Sequence, residues 1–167
     1  MDKDVISDAL EAFRLSEEAE SDNREAWIDD VRFARLGEQW PEAVKRQREL
    51  DGRPCLTINR LPSMIRQVLN DARQNDPAIK VHPVGHGASR ETAKILDGLI
   101  RNIEYTSNAD VAYDTALEGA AYGGFGYFRI STDYADDDEF DQDIRIERIA
   151  NPLNVYGDEK STAADSS

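Results

Sequence analysis

The chain has 167 residues, with 34 Asp and Glu against 20 Lys and Arg, and a formal net charge of −14. That length allows one domain with its own core, and the periodic apolar pattern argues against disorder. So acidic a surface disfavours gripping nucleic acid, although not DNA passing nearby; the single cysteine, Cys55, rules out a disulfide within the chain and makes intracellular synthesis the default; and no apolar run is long enough to span a membrane.

Residues 1–13, MDKDVISDALEAF, lack the basic and apolar regions of a signal peptide. Residues 7–36 read as helix, with Ser21 marking a place where it can break. Trp27, Val31 and Ala34 share one face, and Asp22 with Glu25 resembles a capping box. Gly37 ends this helix, with Pro41 just beyond. Residues 41–55 read as a basic, polar connection with a turn at Asp51-Gly52-Arg53-Pro54. Cys55–Ile58 suits a short strand or extended piece.

A helix is expected over 62–74, with an apolar stripe of Leu61, Ile65, Val68, Leu69 and Ala72. Alternation of Ile79, Val81 and Pro83 predicts a strand over 78–84, at an edge or a strand end because of the proline. Gly85-His86-Gly87 is a loop. Ser89 then caps a helix carrying Ala93, Leu96, Ile100 and Ile103 on one face. Ser107 to Asp110 fits a capping box for the next helix, whose side of Ala109, Ala112, Ala116 and Ala120 permits close approach. Gly123-Gly124 ends it. Phe128, Ile130 and Thr132 alternate with Tyr127, Arg129 and Ser131, and Ile144 and Ile146 continue the pattern in a returning strand. Ile149 falls out of phase, as at a bulge or a strand end. The fold class is therefore α+β: several amphipathic helices packed with a small, mainly antiparallel sheet that includes a 125–149 hairpin. The final KSTAADSS follows a strand-like segment and looks more like a cut than a natural end.

Four groups of residues invite a chemical reading. Gly123, Gly124 and Gly126 run helix, glycines, strand, the reverse of a phosphate-binding loop, so they read as a cap and a turn. The run Asp133, Asp136, Asp137, Asp138, Glu139, Asp141 and Asp143 lacks the glycine of a calcium loop. It reads as a solvated hairpin tip, with weak cation binding as the alternative. His82 and His86 cannot share a helix face across Pro83 and Gly85, and Cys55 has no nucleophile signature. Lys45, Arg46, Arg48, Arg53 and Arg60 form a basic cluster in an acidic chain. It suits acidic patches on a neighbouring copy better than a nucleic-acid backbone.

The order of these elements carries a family resemblance. The stretches are Glu38-Gln39-Trp40 after the first helix, and Asn59-Arg60-Leu61 through Ala72-Arg73-Gln74-Asn75 with Ile79–Val84 following. After them come Ala121 through Arg129 into Thr132-Asp133-Tyr134 and the acidic loop, then Ile144–Ile149 with Asn151-Pro152-Leu153-Asn154-Val155-Tyr156. Together they resemble the N-terminal part of a portal protein of tailed double-stranded-DNA bacteriophages, of the short-tailed type.

The resemblance implies a structural subunit, not an enzyme, in a ring of about twelve copies at one capsid vertex. It implies a ring that nucleates head assembly, docks the terminase motor, contacts capsid or scaffold, receives tail adaptor proteins, and passes DNA without sequence-specific binding. It implies synthesis in the bacterial cytoplasm and residence in the virion, with no cofactor, no metal and no membrane partner. Residues 1–167 would correspond to part of a wing-like domain, truncated, with the stem and clip regions absent. The basic 45–60 segment and the acidic loop, with Asp136, Asp137 and Asp138, are then expected subunit-contact faces. Two rivals remain: a metal-dependent nuclease or phosphotransferase using the 133–143 carboxylates, and an acidic adaptor protein.

Overall fold

Residues 9–20 are mostly strong helix formers, and they lie within one helix, α1 (Lys3–Val31). The computed structural model describes residues 3–75, 79–85, 87–136, 138 and 140–158. Helix α1 passes unbroken through Ser21, and Asp22 and Glu25 sit within it rather than at a cap. Glu20 and Arg24 bridge that point as an i,i+4 pair at 3.4 Å, which favours continuation. A π-helical turn, Arg32–Leu36, follows. Gly37 closes it with φ of 75°, its N–H donating to the Arg32 carbonyl. Only glycine adopts that left-handed geometry without strain, so the expected stop falls where the sequence put it.

The basic stretch after Pro41 is not a plain connection. It is a second helix, α2 (Glu42–Leu50), with no buried residue. Straight-chain side chains favour the helix, and Glu42 and Arg48 complement its dipole at the two ends. Helices α3 (Leu61–Gln74) and α4 (Arg90–Ser107) match expectation, and the Ser89 hydroxyl caps α4 by accepting from Glu91 N–H at 3.1 Å. Residues 79–84 form no strand. Their alternation is real but they have no ladder; instead Val81 N–H donates to the Asp97 carboxylate at 2.7 Å.

Ser107 is not an N-cap either. It closes α4, Asn108 turns left-handed at φ of 52°, and α5 (Ala109–Gly123) starts at once. That frees the Ser107 hydroxyl to accept from Ile146 N–H at 3.1 Å. Strands β1 (Phe128–Tyr134) and β2 (Gln142–Arg148) pair antiparallel, with Ile130 opposite Ile146 and Thr132 opposite Ile144. Ile149 lies just past the end of β2, which accounts for its phase. The α+β class and its hairpin are as expected.

The chain divides into two compact units. The first comprises the described parts of Met1–Met64, Tyr122–Gly124 and Asn151–Ser167. There Asn151 caps a short 3-10 turn, Pro152–Asn154, and the strap that follows lies on α1. Arg24 donates to the carbonyls of Leu153 and Val155, the latter at 3.1 Å, and its guanidinium sits 4.1 Å from the Tyr156 ring centre. Tyr156 meets Phe13 edge-on at 4.6 Å. The buried Ser16 hydroxyl donates to the Gly157 carbonyl, and Gly157 N–H donates to Glu20 at 3.1 Å. Any side chain at Gly123 would run into the Trp27 indole.

The second unit comprises the described parts of Ile65–Ala121 and Phe125–Ala150. Its core is small-residue packing. Ala109 and Ala112 are 1% and 2% exposed, Ile146 presses on them, and Ile103 and Tyr113 close the cluster. Tyr113 meets Phe128 edge-on at 5.0 Å. Gly126 lies against the Ala116 backbone, where a Cβ would overlap the carbonyl. The glycine cluster thus has structural work at each position: contact with Trp27, the left-handed exit at Gly124 (φ of 92°), and contact with Ala116.

Candidate subunit-contact surfaces

Helix α2 carries three of the five expected basic residues, and the structure gives them different tasks. Arg48 faces inward. Its guanidinium lies 4.9 Å from the Trp40 ring centre, it donates to the Pro54 carbonyl at 3.0 Å, and its Nε is buried without a partner among the described residues. Arg48 therefore braces the chain after α2. Arg46 reaches Glu42 at 3.7 Å, a solvent-exposed pair worth little to stability. Lys45, Arg53 and Arg60 form no ion pair among the described residues.

Residues 53–60 form an arm that is neither helical nor paired. Trp40 Nε1 donates to the Leu56 carbonyl at 3.3 Å. Asn59 Nδ2 donates to the Ala34 carbonyl at 2.7 Å, while its Oδ1 accepts from Gln39 and from Leu61 N–H. Asn59 is thus the hub that fixes the arm over the π turn. Sequence reasoning missed both Asn59 and the Trp40–Arg48 bracket.

The expected acidic face lies at the hairpin tip, where Ala135 N–H donates to the Asp141 carbonyl at 2.9 Å. Asp136 and Asp138 are exposed there; Asp137 and Glu139 lie outside the described residues. Among the described residues no three His, Cys, Asp or Glu side chains converge as a metal site would need. His82 is exposed, and His86 lies outside the described residues.

Lower on the hairpin, the polar face is tied across the strands. Ser131 donates to Glu147 at 2.5 Å and Arg129 pairs with the same carboxylate. The Ser131 hydrogen bond first, and then Arg129, hold Glu147 below the ordinary carboxylate range. The second unit also has an open cleft of about 740 Å³, lined by Ile79, Leu117 and Phe128 together with Glu104 and Asp110. Arg73 is bound there to Asp114 at 2.8 Å.

Residues 10–167 match a family model described as phage P22-like portal protein. The chain is also 32% identical, over 114 residues, to the portal protein of Acyrthosiphon pisum secondary endosymbiont phage 1. That alignment covers 65% of this chain and 16% of the relative, so the chain spans a small part of the relative's length. The chain belongs to the phage P22-like portal protein family, a family of structural proteins. Among the described residues, no helix is long and apolar enough to cross a membrane.

Proposed function

We propose that this chain forms part of the wing-like region of a phage portal: a ring subunit at the capsid vertex through which the genome is packaged and ejected. The observation that carries this reading is the family match over residues 10–167. The ring would use complementary faces, because a head-to-tail contact closes only when each face meets its opposite. Lys45, Arg46, Arg53 and Arg60 offer the cationic face, and the hairpin tip with Asp136 and Asp138 the anionic one. Arg48 belongs to the fold of the first face. The terminase motor, capsid or scaffold proteins and tail adaptor proteins are the proposed partners, and the virion the proposed location. An acidic surface suits a conduit, because phosphate contacts would brake DNA in transit.

The test is assembly. The complete polypeptide, viewed by negative-stain microscopy and weighed by native mass spectrometry, is expected to form closed rings of about twelve subunits. A strictly monomeric protein at all concentrations would overturn the reading. Replacing Arg53 and Arg60 together with Glu is expected to weaken ring formation, and more so at low salt, where charge contacts are least screened.

A further inference from the structure

The arm over 53–60 has the pattern of a strand without a sheet. Cys55 and Asn59 are half-buried, whereas Leu56 and Ile58 are 78% and 82% exposed. Cys55 to Ile58 make no main-chain hydrogen bond to other main-chain groups among the described residues. The Leu56 carbonyl is turned toward Trp40. In an extended chain successive residues point their polar groups to opposite edges, so those of Cys55 and Thr57 turn to the edge opposite Trp40.

Strand β1 has the matching deficit. Ile146 N–H points away from β1, to Ser107, so Ile130 and Ile146 face each other as a non-hydrogen-bonded pair. By alternation, Phe128, Ile130 and Thr132 turn their N–H and C=O groups to the outer edge of β1, where no strand pairs with them among the described residues; Tyr134 N–H, also on that edge, donates to the Asp133 carboxylate at 2.9 Å. A two-stranded hairpin is marginal alone, and a free edge is a template for a further strand. Away from the part where Ile146 packs on α5, that face is apolar and exposed: Ile130 is 66% exposed, and Tyr134 and Ile144 are exposed beside it. The charges are complementary, with Arg53 and Arg60 flanking the arm and Asp133, Asp138 and Asp141 along and beyond β1.

We propose that residues 55–58 of one copy add as a strand parallel to β1 at its outer edge in the next copy, the orientation that places Leu56 and Ile58 on the same face as Ile130 and Tyr134. This rests on the ring reading above and names its contact. Main-chain pairing supplies the grip, and Arg53 and Arg60 select the acidic hairpin. The contact is head-to-tail, with different surfaces on the two sides, as a ring requires.

The complete polypeptide is the material for the test. Thr57→Pro and Thr132→Pro each remove one outward N–H, and Thr132→Pro spares the ladder to β2. Each is expected to weaken subunit association about tenfold, while Thr57→Ala and Thr132→Ala assemble as wild type. Independently of any variant, the amides of Ile130 and Thr132 are expected to exchange far more slowly in the assembled wild type than in its dissociated subunits. Rings of unchanged stability in both proline variants, or β1 amides that exchange equally fast in both states, overturn this contact and leave the ring reading standing. A wild type that never assembles overturns both.

Discussion

In the first unit a single guanidinium, Arg24, reaches two carbonyls, a carboxylate and an aromatic ring, and so pins residues 153–157 along α1. In the second, Ala109 and Ala112 bring Ile146 against α5 with nothing larger than a methyl between. The first arrangement is directional and polar, and it fails when a partner atom is removed. The second depends on an absence of bulk, and it fails when an atom is added. These two contacts thus have opposite sensitivities to substitution.

The sharpest way to break this contrast is to add volume to the second unit. Gly126→Val is expected to cost about 3 kcal/mol or more, since the new side chain meets the Ala116 backbone, which cannot give way as a flexible side chain would. Urea unfolding followed by circular dichroism checks it, and a near-neutral result would mean the packing is loose. Next in size, Arg24→Ala removes charge-assisted bonds from a largely buried guanidinium and is expected to cost about 2 kcal/mol. Hydrogen exchange should then quicken at Val155 to Gly157 while the Ile146 amide keeps its protection. Equal loosening at both places would erase the distinction between the units.

The smallest effect concerns Glu147. Its pKa is lowered in the folded protein, so its contribution to stability is present above its unfolded pKa and is lost as pH falls through the folded value. Ser131→Ala removes the leading cause, so an NMR titration of Glu147 should show its pKa rising toward the ordinary range. An unmoved titration would assign the depression to Arg129 alone.

Much of this fold was legible where apolar residues recur with a helical or strand period, as in α3, α4 and the hairpin. Helix α2 was not, because a solvated helix with no buried residue has no apolar period to read. Residues 79–84 show the converse, since alternation describes two faces but does not supply a partner strand. The capping box at Ser107 misled because a left-handed Asn108 lets two helices abut with no room for a cap. The proposed contact surfaces were half legible. The basic cluster was visible as composition, but that Arg48 turns inward depends on Trp40 and Pro54, and the strap on α1 joins residues more than a hundred positions apart.

The π turn at Arg32–Leu36 has a consequence for how the sequence can change. Such a turn holds one residue more than ordinary helix, so losing one residue there would anneal it to a regular α-helix at little local cost. The expense would appear downstream. Everything after the turn would rotate by about 100° around the helix axis relative to α1, carrying Asn59 away from the Ala34 carbonyl and Val155 away from Arg24. The turn is therefore a phase setting. Single-residue deletions within it are expected to be rare among functional variants, although the turn itself would absorb them easily.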